Sequence, residues 1–265
     1  MTPGRITVDN GEIHYEIAGS GSPVVLLHLG SLSSAIWDRE FELLAAGHTV
    51  VRYDARNHGQ SSTATEPYSN HDDLRRLLDG LGIDRASLVG QSLGSRTSVD
   101  FALTWPDRVD RLVLGSPGVS GMSFQDPFIL NQLGLMRAAT DGAGVVGALL
   151  RMWVDGPHRT PEQLDPELRA FCARITAETV TRHGNGWRLP PIEATAIDRL
   201  AELAAPITVV LGDLDSSDIA EVARRIVGEA KNAELVTVPN AGHAVNLEQP
   251  DRFGEILLAS VPSGR

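Results

Sequence analysis

Short, unbroken apolar runs rich in β-branched residues constrain this chain most, recurring at 24–28, 50–54, 86–90, 111–114, 207–211 and 235–238. Four or five such residues without polar alternation suit a strand covered on both faces, as in a parallel sheet. Between the runs lie stretches with helical spacing at 71–81, 93–104 and 216–228. The last of these puts Ile219, Val222, Ala223 and Ile226 on one face. Near the N-terminus, 5–8 and 12–17 flank Asp9-Asn10-Gly11, which reads as an antiparallel hairpin. Six runs and two hairpin strands make eight. The expected fold class is therefore α/β, with a mostly parallel eight-stranded sheet flanked by helices and an antiparallel edge.

The alternation stops between 118 and 198. This stretch is helical in character and punctuated by Pro127, Gly156-Pro157 and Pro190-Pro191. So long a segment without strand signals, set between two sheet strands, reads as an inserted helical cap. The expected organisation is a core of 1–117 and 199–265 carrying a cap of 118–198.

Of the 265 residues, 42% are hydrophobic and 22% charged, with 34 acids against 23 bases. The net charge of −11 repels polyanions, which argues against nucleic acid or an anionic membrane surface as a partner and leaves a small-molecule substrate. It sets no oligomeric state. The single cysteine, Cys172, cannot form an internal disulfide and has no nucleophile context. No apolar run approaches the ~20 residues that span a bilayer. Met1-Thr-Pro-Gly-Arg5 opens into a polar segment with no signal-peptide core, so a cytoplasmic location is expected. No cluster has metal-ligand spacing, so neither metal nor cofactor is expected.

Gly90-Gln91-Ser92-Leu93-Gly94 matches G-x-S-x-G between a strand run and a helical stretch, the strand–turn–helix context of a nucleophile elbow. The sharp turn exposes the serine Oγ, and small residues on either side let strand and helix approach closely.

With this motif the chain resembles the α/β-hydrolase superfamily over nearly its whole length outside the cap. Leu26-Leu27-His28, then Gly30 and Trp37, is similar to the family's oxyanion loop, with Leu29 where glycine usually follows the histidine. The segment 54–61 resembles D-x-R-G-H-G-x-S, with Asn57 in the glycine position. Gly212-Asp213-Leu214-Asp215 resembles G-x-x-D, and Gly242-His243 with Glu248 and Pro250 resembles G-H-x-x-x-x-E-x-P. The resemblance implies a triad of Ser92, Asp215 and His243, with Asp213 and Asp218 as the alternative acids. It also implies oxyanion donors at the backbone N–H groups of Leu93 and Gly30, and a structural role for Glu248. His28 and His58 fall in loops where such residues bond backbone. His14, His48 and His71 are expected on solvated edges or turns, and His158 and His183 on the cap surface or near substrate.

The serine at 92 excludes the haloalkane dehalogenase and epoxide hydrolase chemistries, which use aspartate there. The cap is rich in apolar residues, among them Phe124, Ile129, Leu130, Met136 and Leu149. The candidate substrate contacts are Met122, Phe128, Met152 and Trp153, with Leu29 and Gln91 from the core. The implied function is hydrolysis of a carboxylic ester or lactone of a small, partly apolar substrate through an acyl-enzyme. Asp155-Gly156-Pro157 after Trp153 resembles caps of enol-lactone hydrolases. C–C bond hydrolysis uses the same triad, and a lyase, cyclase or ligand receptor can occupy the same fold.

Overall fold

The computed structural model describes residues 1–261. Its sheet comprises β1 (Thr2–Val8), β2 (Gly11–Gly19), β3 (Pro23–Leu27), β4 (Thr49–Tyr53), β5 (Ala86–Gln91), β6 (Val109–Gly115), β7 (Ile207–Gly212) and β8 (Ala233–Val238), in the order β1-β2-β4-β3-β5-β6-β7-β8. The hairpin β1–β2 is antiparallel and joins β4 antiparallel, while every pairing from β4 to β8 is parallel. This is the expected mostly parallel eight-stranded sheet. Its hairpin turns through Asn10, whose positive φ of 56° the short polar side chain tolerates.

Both faces of the parallel strands are apolar because both are covered by helices. The helices of the chain are, in order, α1 (Asp38–Ala45), α2 (Asn70–Gly80), α3 (Leu93–Thr104), α4 (Pro127–Ala138), α5 (Gly142–Leu150), α6 (Pro166–His183), α7 (Ser217–Glu229), α8 (Val245–Glu248) and α9 (Pro250–Ser260). Val25, Leu27, Val51 and Leu88 share one core with Leu74 and Leu77 of α2, Val99 and Phe101 of α3, and Ile219, Val222 and Ile226 of α7. Their neighbours in sequence, Val24, Leu26, Val50 and Val89, point the other way into a second core with Phe41 and Leu44 of α1 and Phe253 and Leu257 of α9. The two-residue period of a strand thus feeds two cores.

From β3 the chain steps to β4 on one side and then crosses to β5 on the other. The connections leaving β3 and β5 therefore diverge, which opens a crevice at the C-terminal ends of the strands. The 28–34 loop and the start of α3 lie there.

Between β6 and β7 the chain is helical. Asp126, Asp141 and Asp165 cap α4, α5 and α6 by accepting backbone N–H bonds. Pro127 is the first residue of α4, where its missing N–H costs nothing. α5 runs directly into a π-helical turn, Arg151–Asp155, which ends at Gly156 with φ 78°.

Candidate active site

Ser92 occupies the turn between β5 and α3 with φ 52° and ψ −103°, a strained conformation for a residue with a side chain. Two glycines permit it. A Cβ at Gly90 would overlap the backbone of Gly94, and one at Gly94 would overlap the Leu27 carbonyl. The helix start is thereby packed against the ends of β5 and β3. Leu93, as first residue of α3, has an N–H with no intrahelical acceptor. Gly30 sits beside it: a Cβ there would lie 3.9 Å from that of Leu93.

The loops after β7 and β8 bring Asp215 and His243 together. Nδ1–H of His243 donates to both carboxylate oxygens, at 3.0 and 3.1 Å, and both residues are buried. Oδ1 of Asp215 also accepts the Ser216 N–H at 2.7 Å. The carboxylate therefore fixes the imidazole tautomer and leaves Nε2, which is buried and without a partner among the described residues. Of the alternative acids, Asp213 is exposed, and Asp218 accepts the N–H groups of Gln125 and Asp126. Asp215 is the carboxylate that faces the histidine.

The 28–34 loop is braced by two neutral histidines. His28 Nδ1–H donates to the Leu29 carbonyl, and its Nε2 accepts the Ala55 N–H at 2.9 Å. His58 Nδ1–H donates to the Arg56 carbonyl, and its Nε2 accepts the Ser31 N–H at 3.3 Å. Burial pushes both imidazoles down, His58 to about 3, where the neighbouring His28 adds to the effect. Asp54 completes the brace by accepting from the Ser34 N–H and hydroxyl and the Gln60 N–H. Burial opposes its ionisation, but these bonds and His14 hold the carboxyl well below the usual range. These histidines bond backbone, as their motifs implied.

Ser92, Leu93, Gly30 and Leu29 line a cavity of about 400 Å³. The segment between β6 and β7 supplies its apolar wall with Met122, Phe124, Met136, Leu149, Trp153, Trp187 and Leu189. Trp153 joins the cavity to His243, because its ring also packs on that imidazole with centroids 4.7 Å apart. Arg56, Tyr68, Asn70 and Arg96 make a polar end. A larger cleft of about 800 Å³ between the sheet edge and α6 is lined by His14, Arg52 and Asp54 and holds none of the Ser92 group. Among the described residues no group of three or more His, Cys, Asp and Glu side chains could hold a metal ion, and no helix is long and apolar enough to cross a membrane.

Three expected substrate contacts lie elsewhere. Gln91 is fully buried and donates its amide to the His243 carbonyl. Phe128 lies under the Arg151 guanidinium, 5.1 Å from ring centre, off the cavity wall. Met152 is 1% exposed and off the cavity wall, whereas its neighbour Trp153 in the π-helical turn lines it. His14 and His48 are buried rather than solvated. His183 is buried too: Nε2–H donates to the Gly59 carbonyl and Nδ1 accepts the Thr63 hydroxyl, which anchors α6 to the core. His158 is exposed.

Tyr68, Asn70, Arg96, Trp187 and Ile219 escaped the sequence reading as cavity residues. Only Arg96 carried a usable signal, its position four residues after Ser92 on the same helix face.

A family model described as "Alpha/beta hydrolase family" matches residues 24–256. The chain is 30% identical over 271 residues to a protein of Caulobacter sp. (strain K31) named as a carbamate hydrolase, covering 95% of this chain and 96% of that protein. It is 30% identical over 261 residues to a 2-hydroxy-6-oxononadienedioate/2-hydroxy-6-oxononatrienedioate hydrolase of Paraburkholderia phymatum, covering 93% and 89%. Among solved structures, Est816, an N-acyl homoserine lactone degrading enzyme, superposes with a TM-score of 0.74 at 26% identity and covers 97% of this chain and 100% of its own. The match across nearly the whole length, on this sheet and this elbow, makes the chain a hydrolase belonging to the α/β-hydrolase family.

Proposed function

We propose that the protein hydrolyses a carboxylic ester or lactone through an acyl-enzyme formed on Ser92. His243 Nε2 takes the proton from Ser92 Oγ as the oxygen attacks the carbonyl carbon. Asp215 holds the ring and stabilises the imidazolium. The N–H groups of Leu93 and Gly30 receive the developing oxyanion, where one such donor contributes about 3 kcal/mol to the transition state. The imidazolium then protonates the leaving oxygen, and His243 activates water to release the acid. Residues 118–198 act as a cap that excludes water and shapes the acyl pocket.

The observation that carries this reading is the buried Asp215–His243 pair with a free Nε2, joined through Trp153 to a mainly apolar cavity on which a strained Ser92 opens. Likeness to an N-acyl homoserine lactone degrading enzyme supports lactones within the class. A fluorophosphonate or sulfonyl fluoride probe, read by peptide mass spectrometry, should label Ser92. A parallel panel of p-nitrophenyl esters, thioesters and lactones should show turnover. An active preparation whose Ser92 stays unlabelled would refute the assignment, and silence across the panel would refute the ester and lactone class.

A second reading is hydrolysis of a C–C bond next to a ketone. It is favoured by the relatives named for oxo-dienoate and oxo-dienedioate substrates, since hydrolysing a ketone of that kind breaks a carbon–carbon bond. The same Ser92, His243 and oxyanion donors would serve it. Turnover of a vinylogous 1,5-diketone acid, with silence on esters, would select it.

A further inference from the structure

The polar end of the cavity is unevenly satisfied. Among the described residues the charged side chains lining the cavity are two arginines, Arg56 and Arg96, with no carboxylate. Arg56 is fully engaged. It grips Asp73 with Nε and Nη2 at 2.9 and 2.7 Å, and Nη1 donates to the Asp9 carbonyl at 2.8 Å. Tyr68 is occupied as well, its hydroxyl accepting from Asn57 Nδ2 at 3.0 Å.

Arg96 and Asn70 are different. Arg96 lies one turn into α3, with its backbone N–H donating to the Ser92 carbonyl at 2.9 Å. Its guanidinium makes one hydrogen bond among the described residues, from Nη1 to Glu193 at 2.9 Å. Nε is buried without a partner, and Nη2 also lacks one among the described residues. Asn70 is only 9% exposed, and its amide makes no hydrogen bond among the described residues although it lines the cavity. Arg96 and Asn70 also share the walls of a small adjoining void, together with Glu193 and Asp100. Asp100, on that void, is committed to the Ser120 hydroxyl and the Ala194 N–H.

A half-used guanidinium, 28% exposed, and an unpartnered, nine-tenths-buried amide on the wall of one cavity match a planar anion with two acceptor oxygens. An otherwise apolar wall raises the strength of such a contact. We propose that Arg96 and Asn70 form an anion subsite that selects substrates bearing a carboxylate a short chain away from the scissile carbonyl. The proposal rests on the hydrolase reading of Ser92 for its kinetic consequence. The binding itself does not depend on turnover.

The test uses substrate pairs that differ only in charge: mono-p-nitrophenyl glutarate against p-nitrophenyl pentanoate on the acyl side, and 4-carboxyphenyl butyrate against 4-carbamoylphenyl butyrate on the leaving side. The expected result is that Arg96→Met lowers the anionic-to-neutral ratio of kcat/KM by about 10- to 100-fold for one of the pairs. Asn70→Leu should lower it less, and Glu193→Gln should raise it by freeing Nη1. Free glutarate should raise the melting temperature of the wild type and not that of Arg96→Met, whether or not esters are turned over. A loss shared equally by charged and neutral substrates, with a lower melting temperature, would reduce Arg96–Glu193 to a clamp and overturn the proposal. So would glutarate binding that is the same in wild type and Arg96→Met. Failure of every ester with glutarate binding intact would instead count against the ester and lactone reading alone.

Discussion

Gln91, the residue before Ser92, donates its side-chain amide to the backbone carbonyl of His243, so the strand end that carries Ser92 also holds the loop that carries His243. Gln91 ends β5, paired with Gly115 of β6 and with no exposure, and a Cβ on Gly115 would meet its Oε1. Gln91→Leu keeps the bulk and leaves the His243 carbonyl unsatisfied. It should lower stability by about 1–3 kcal/mol. By letting the histidine drift it should also lower kcat by up to about 100-fold. Because Gln91 is off the cavity, relative rates on different acyl chains should stay as in the wild type. A shifted chain-length profile would mean that Gln91 reaches the substrate after all.

The pair Asp215–His243 makes a sharper forecast. Asp215→Asn replaces the acceptor of Nδ1–H by an amide that can present its own N–H there, which favours the wrong tautomer. The expected loss in kcat is about 10⁴-fold. Asp213, exposed and two residues away, should cost less than about threefold as Asp213→Asn, since it touches neither base nor cavity and exposed charges act weakly. Steady-state kinetics on one activated ester decides it. Equal losses would show that the acid has been misassigned.

The uneven legibility of this site follows from what each residue depends on. β5 was readable to within one residue, 86–90 against Ala86–Gln91, and α3 to the residue, 93–104 against Leu93–Thr104, because local apolar runs and backbone chemistry specify them. α1 was not, since its short span buries just Glu40, Phe41 and Leu44 and owes its stability to packing on the second core. α5, with glycine at 142, 144 and 147, has low intrinsic helix propensity and is held by the Asp141 cap and by burial of Ala148, Leu149 and Leu150. Which side chains between β6 and β7 face the cavity depends on the π-helical turn at Arg151–Asp155. That extra residue per turn rotates the apolar stripe, and no 3.6-residue pattern reveals it.

An alanine series across the segment between β6 and β7 separates the two populations. Met122 and Trp153 line the cavity, so Met122→Ala and Trp153→Ala should alter the ratio of kcat/KM between short and long acyl chains by about 10- to 200-fold. Trp153→Ala should lower kcat on all chains as well, because the ring that packs on His243 favours the imidazolium by about 0.5–2 kcal/mol. Met152 is buried off the cavity, so Met152→Ala should cost about 2–5 kcal/mol of stability with the chain-length ratio unchanged. Phe128→Ala loses its contact with Arg151 and should likewise spare the ratio. A Met152→Ala profile that tracks Met122→Ala would place that side chain on the pocket.

His58 gives stability a definite pH dependence. Burial lowers its pKa from 6.5 to about 3, so between those values the unfolded chain takes up a proton that the folded chain refuses. The stabilisation is fully present above pH 6.5 and is lost as pH falls through that window, at up to about 1.4 kcal/mol per pH unit. Glu40 acts the other way. Burial raises it from 4.5 to about 7, so its contribution is complete below 4.5 and is lost as pH rises through 7. A single melting curve mixes the two, but a variant isolates the histidine. His58→Asn keeps a donor for the Arg56 carbonyl, gives up the Ser31 contact and cannot be protonated. At pH 7 it should melt below the wild type. At pH 4.5, still above the folded pKa, the wild type has lost up to about 2.7 kcal/mol that the variant keeps, so the gap should narrow or reverse. A gap that stays constant or widens between those two pH values would mean that His58 is not held neutral in the fold, and that the brace on Ser31 and the Gly30 loop is not the one described.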